Sequence, residues 1–144
     1  MKNILVGIDF HKNTARLLKQ ATIIAEPFRS KVWLLHVTAP DPDFVGYEPG
    51  PQSVRENRAD DLKNEHVKLQ TMATELQNSG LDAEALLVQG ATVETFVSEA
   101  DKLHADMIIV GHHDYNFLQK IFKQEVSTDI IDEIKIPVLV VPLK

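Results

Sequence analysis

The string richest in chemically capable side chains is Gly111-His112-His113-Asp114-Tyr115, which follows directly on the apolar run through Val110. Two histidines beside an acid suggest a metal centre, but adjacent residues project in different directions, and no further ligand completes a spacing such as H-E-x-x-H. They read as loop histidines with hydrogen-bonding roles, and no metal ligand set is expected. Ser127 precedes Ile130-Ile131, where a hydroxyl serves either as a phosphate contact or, more ordinarily, as a helix N-cap. Asp9 closes the first apolar run and His36 stands near the end of the second. A histidine so placed is either a proton sensor or, in the commoner case, a side chain with one fixed partner. Nucleophile chemistry finds no home: there is no G-x4-G-K-[ST] loop and no G-x-S-x-G elbow, and no cysteine. No catalytic residue is therefore assigned.

The elements that must position these groups belong to a chain of 144 residues, the length of one domain, expected to span 1–144, with enough interior for a core. Without cysteine the fold rests on packing and backbone hydrogen bonds, which suits a reducing compartment. The apolar start, Met1 to Asp9, is too short for a signal peptide, and no run approaches the roughly 18 apolar residues of a membrane span. A cytoplasmic protein without a membrane partner is expected. The net charge of −6 works against binding polyanions, and the mixed charges from Arg55 to Lys68 form a solvated helix face rather than a nucleic-acid stripe.

Five short apolar runs read as buried strands: Asn3–Ile8, Val32–Val37, Ala83–Gln89, Asp106–Gly111 and Ile136–Pro142. Between the first two, Leu17, Leu18, Ala21, Ile24, Ala25 and Phe28 recur at helical spacing from Thr14, with Asn13 or Thr14 as cap and Pro27 near the end. Pro40–Pro51 carries four prolines and two glycines and reads as a surface loop. A polar helix follows from about Ser53 to Asn78, best supported from Asp60, with Val54, Leu62, Val67, Leu69, Met72, Ala73 and Leu76 in its stripe and Ser79-Gly80 as its stop. Thr92 caps a helix whose apolar face is Val93, Phe96, Val97, Ala100 and Leu103; a helical patch at Phe117–Phe122 and a helix at about Val126–Glu133 precede the last strand. Strand and helix alternate throughout, which predicts a doubly wound α/β fold: an open parallel sheet with helices on both faces. Ligands of such sheets sit beyond the carboxyl ends of the strands, so Asp9 and the loops after Val37 and Val110 are the positions to examine.

Taken in order, Ile4–Asp9, Lys31–Val37, Gln89-Gly90, Ala105–Gly111 and Pro137–Val141 resemble the universal stress protein family over nearly the whole chain. The resemblance implies a five-stranded sheet of order 3-2-1-4-5, of the adenine nucleotide alpha hydrolase-like group, and a homodimer through the C-terminal strand Val138–Val141. It also implies a remnant nucleotide cleft of Asp9, Val37, Gly111, His113, Val126 and Ser127, with Asp9 at the adenine or ribose. Many relatives bind ATP through G-x2-G-x9-G-[ST], where glycines let backbone N–H groups approach phosphate. In this chain that register begins at Gly111, but its second glycine is Asp114 and its final pair is Gln124-Glu125. Asp114 in place of a glycine and Glu125 in place of the hydroxyl residue bring carboxylates toward a triphosphate, and one such pair costs on the order of several kcal/mol at intermediate dielectric. The chain also lacks the H-x-G-H string of nucleotidyl transferases of similar fold. The string Gly111–Tyr115 resembles the family's subgroup that lacks the glycine loop. The expectation is a stress-response regulator acting through unidentified protein partners with no cofactor; the alternative is an ATP- or AMP-binding switch or slow ATPase.

Overall fold

A computed structural model describes residues 1–10, 12–38, 52–90, 92–112 and 134–143. In chain order the elements are β1 (Asn3–Gly7), α1 (Thr14–Phe28), β2 (Lys31–Thr38), α2 (Gln52–Asn78), β3 (Asp82–Gln89), α3 (Thr92–Lys102), β4 (Met107–His112) and β5 (Val138–Pro142). The strands form one sheet in the order β3-β2-β1-β4-β5, and every neighbouring pair is parallel. The parallel sheet is what the alternating pattern predicts, and its strand order is the one the resemblance implies. The expected loop at Pro40–Pro51, the patch at Phe117–Phe122 and the helix at Val126–Glu133 lie outside the described residues.

Because side chains alternate along a strand, each strand feeds two cores. Ile4, Val6, Ile8, Val32, Leu34, Ala83, Ile109 and Val141 point to one face, where they meet Leu17, Ala21 and Ala25 of α1 and Leu69, Ala73 and Leu76 of α2. Leu5, Leu35, Ile108 and Val110 point to the other and meet Phe96 and Ala100 of α3. Crossovers to the left of β1 thus carry helices on one face and the crossover to its right carries a helix on the other, as right-handed connections require. Full burial of a side chain such as Leu34 contributes about 1.5–3 kcal/mol.

Two expected stripe members are exposed. Val67 is 61% exposed and Phe28 58% exposed. Leu69, Ala73 and Leu76 are spaced to share one side of α2, and Val67 falls off that side; Phe28 occupies the last residue of α1, past its contact with the sheet. Asn13 does hold the N-cap position of α1, but without a side-chain capping bond. Its amide instead donates to the Leu143 carbonyl, tying the start of α1 to the chain beyond β5.

The helices end by a shared device. Arg29, Gly80 and His104 all have positive φ, at 53°, 97° and 51°. The N–H of the next residue then reaches back to a carbonyl of the last turn: Ser30 to Ala25 at 3.0 Å, Leu81 to Leu76 at 3.1 Å and Ala105 to Ala100 at 3.0 Å. Such left-handed caps satisfy carbonyls that the helix leaves orphaned, and each delivers the chain into the next strand. Only at Gly80 does the sequence supply the residue that adopts this conformation freely.

Candidate functional site at the carboxyl end of the sheet

β1 and β4 are adjacent, yet the chain leaves β1 toward β2 and returns to β4 from β3. Their carboxyl ends therefore mark the point where the winding reverses, the position at which open α/β sheets hold ligands. A cleft of about 100 Å³ lies there, lined by Gly7, Ile8, Asp9, Leu35, His36, Val37, Phe96, Val110 and Gly111. Asp9, Val37 and Gly111, three of the six residues expected at the site, are thus brought together from three different strand ends. His113, Val126 and Ser127, and with them Asp114, Gln124 and Glu125, lie outside the described residues.

The floor of the cleft is set by packing. Gly7 pairs with Leu35 on one side and Val110 on the other. A Cβ at Gly7 would stand 2.9 Å from Phe96 Cε2, too close for any residue but glycine unless the ring moves. Phe96 is 4% exposed, so its ring fills the space that the missing Cβ leaves. At Gly111 an added Cβ would overlap Leu143. Gly111 is therefore accounted for by close packing, whatever its part in ligand contact. Sequence reasoning placed Phe96 on a helix face without seeing that it reaches the cleft. The available signal was Gly7, since a glycine inside a strand marks close approach of another group.

Beside the cleft, the turn after β1 is held by His36. The Ile8 N–H donates to the Leu35 carbonyl at 2.8 Å, and the Ile8 oxygen lies 2.6 Å from His36 Nδ1. The His36 ring packs against the Phe10 ring at 4.6 Å between centroids with a tilt of 52°. Phe10 has φ 59°, a left-handed conformation that costs a residue with a Cβ about 1–3 kcal/mol. His36 Nε2 faces Glu65 Oε2 of α2 at 3.8 Å. That oxygen is buried and lacks a hydrogen-bond partner among the described residues. A left-handed residue and an unsatisfied acceptor thus stand side by side at this end of the sheet. Among the described residues no group of three or more metal-ligating side chains occurs, and no helix is long and apolar enough to cross a membrane.

A larger void, about 620 Å³, lies against α3 and the start of β4, bounded by residues including Glu94, Asp101, His104 and Ile136. The connection between β4 and β5 includes residues 113–133, which are outside the described set. The void carries no functional reading.

Comparison with known proteins agrees with this geometry. Over 145 aligned residues the chain is 28% identical to universal stress protein A of Yersinia pestis, covering 99% of this chain and 93% of that one. Among solved structures, the hypothetical protein MJ0577 is 28% identical, with a TM-score of 0.72 over 99% of this chain and 96% of that one. A universal stress protein solved in complex with cAMP shares the fold at 23% identity, with a TM-score of 0.68 over 99% of this chain and 98% of that chain. The family model described as the universal stress protein family matches residues 1–142, and the chain belongs to that family.

Proposed function

We propose that this protein is a stress-response regulator that acts through protein contacts and does not hold ATP tightly. One observation carries the reading: the register in which ATP-binding relatives carry their glycine loop holds two carboxylates in this chain, which repel a triphosphate. The sequence adds Asp114, Gln124 and Glu125 where ATP-binding relatives carry two glycines and a hydroxyl, which aligns the chain with the subgroup lacking the glycine loop. Such a loop does not fit a triphosphate. Isothermal titration with ATP and AMP in magnesium buffer tests the reading. Dissociation constants well above 10 μM are expected, and a value below about 10 μM would overturn it.

A second reading, an AMP- or ATP-dependent switch, is favoured by one observation. Asp9, Val37 and Gly111 converge on the same cleft, and a protein of this fold has been solved with cAMP. It predicts that millimolar ATP raises the melting temperature, as ligand linkage requires.

For assembly, the reading includes a homodimer through Val138–Val141. β5 is an edge strand whose Val138, Leu139 and Val140 are only half-buried, and exposed apolar edges are normally covered. Sedimentation as a monomer at micromolar concentration would remove this part.

A further inference from the structure

We infer that the outer edge of β3 is a docking site for an extended segment of a partner protein, which joins the sheet as a further strand. The inference rests on the reading that this protein acts through protein contacts, and it names the place and the kind of contact. β3 stands at the margin of the sheet, and the register shows which of its backbone groups are already used. The Gly90 N–H donates to the Thr38 carbonyl at 3.1 Å, so position 90 faces β2. Backbone direction alternates along a strand: Leu86 and Val88 also face β2, while Ala83, Ala85, Leu87 and Gln89 turn their N–H and C=O groups away from the sheet. A separate contact agrees, since Gln77 Nε2 of α2 reaches the Ala83 carbonyl from outside the ladder at 2.7 Å. No hydrogen bond from another element reaches the outward groups of Ala85 and Leu87 among the described residues.

Open edges invite pairing, and folds usually guard them with proline, a bulge or lysine. The opposite edge is guarded. The Ile108 N–H donates to the Pro137 carbonyl at 2.9 Å, and by the same alternation Pro142 faces outward at the end of β5, where it has no N–H to give. β3 contains neither proline nor lysine, and its pairing with β2 runs unbroken from Asp82 to Gln89. Its outward ladder is therefore intact.

A second copy of the chain fits this edge badly. α2 packs mainly over β3 and only lightly over β2. Antiparallel pairing of β3 with its own copy would bring the two α2 helices about one strand spacing apart, roughly 4.8 Å, where packed helix axes need about 8–10 Å. A lone extended segment brings no helix with it. Its chemistry follows from its surroundings. On one face stands the flank of α2 that carries Gln77, and Gln70 and His66 continue that flank at helical spacing. On the other face Leu86 and Val88 are half-buried at the margin of the second core. A guest strand alternates its side chains between the two, polar toward α2 and branched apolar beside Leu86 and Val88. β3 carries Asp82 and Glu84 and no basic residue, and Lys31 already holds Glu84 at 2.9 Å. The complementary segment is thus neutral to basic, with a cation near the exposed Asp82.

The experiment uses the full chain and one probe, a short peptide of alternating valine and threonine with a lysine at each end. Without peptide, the amides of Ala85 and Leu87 should exchange with solvent at least about tenfold faster than those of Leu86 and Val88, because only the latter are tied to β2. Equal rates would overturn the inference at its first step. Titration should give a dissociation constant below about 1 mM, with amide shifts centred on residues 85–89 and slowed exchange at Ala85 and Leu87. No binding, or shifts centred on β5 or the cleft, would refute it. The same peptide methylated at every backbone nitrogen should bind at least about tenfold more weakly, as main-chain pairing requires, and equal binding would contradict it. Leu87→Pro removes one outward N–H and should abolish binding; retained binding counts against the inference, and if the variant fails to fold the methylated peptide decides. Protection of Ala85 and Leu87 that grows with protein concentration in the absence of peptide would assign the edge to a second copy and overturn the inference. The two readings fail separately: tight ATP binding refutes the proposed function and leaves these readouts unchanged, whereas a peptide that does not bind leaves the reading of the loop standing.

Discussion

The two ends of the sheet are built differently. At the amino end polar groups pair across elements. The Asp106 carboxylate accepts the backbone N–H groups of Lys2 at 2.7 Å and Asn3 at 3.0 Å. The Trp33 indole donates to Asn3 Oδ1 at 3.1 Å, and the Ser30 hydroxyl donates to the Met1 carbonyl at 2.9 Å. Lys31 bridges to Glu84 at 2.9 Å while its ammonium lies 4.1 Å from the Trp33 ring centroid. At the carboxyl end stand a left-handed phenylalanine, a buried carboxylate oxygen without a donor among the described residues, and three glycines, Gly7, Gly90 and Gly111, at which a Cβ would crowd a neighbour. The amino end fastens strands together; the carboxyl end carries the cleft. Left-handed residues with a Cβ stand at both ends, Phe10 at one and Arg29 and His104 at the other, so backbone strain does not distinguish them.

The largest expected effect is one that ignores the contrast. Leu34 is wholly buried beneath both ends, so Leu34→Ala should lower unfolding free energy by about 2–5 kcal/mol, read by urea denaturation. A loss below that range would mean the α1/α2 face repacks easily. Next, Gly111→Ala acts on the carboxyl end alone. Its new methyl meets Leu143, and overpacking of this sort costs about 1–3 kcal/mol. An unchanged midpoint would show that Leu143 yields, and that Gly111 is free for another role. The smallest effect belongs to the amino end. The N–H groups of Asn3 and Lys2 hold the exposed Asp106 carboxyl below its usual value of 3.8. A lowered carboxylate stabilises the fold above its unfolded value and ceases to as pH falls through the folded one. Asp106→Asn should therefore cause a small fall in Tm at neutral pH, and the gap from the parent protein should close as the medium is acidified below 3.8. A gap that stays constant with pH would show that charge has no part in the bond.

Much of this fold could be read in the residues because parallel strands buried on both faces leave continuous apolar runs, and Ile4–Ile8, Val32–Val37 and Met107–Val110 are such runs. Asp9, Val37 and Gly111 could be placed at one site for a topological reason: each follows or ends a strand beside the winding reversal. What the pattern could not supply was contact between elements far apart in sequence. Nothing in the spacing of Phe96 distinguishes a core residue from one that floors a cleft, since both obey helical periodicity. Glu65 sits in a run of charged residues that reads as a solvated face, and only the packing of α2 against β2 turns its carboxylate toward His36. Left-handed caps at Arg29 and His104 were equally hidden, because tertiary packing there overrides the preference for glycine.

The central claim is that the carboxyl-end cleft works without a tightly held nucleotide. Its most direct test is the nucleotide content of the purified protein: heat denaturation followed by chromatography of the supernatant. The account predicts no more than trace adenine nucleotide, whereas near-stoichiometric release of ATP or AMP would contradict it.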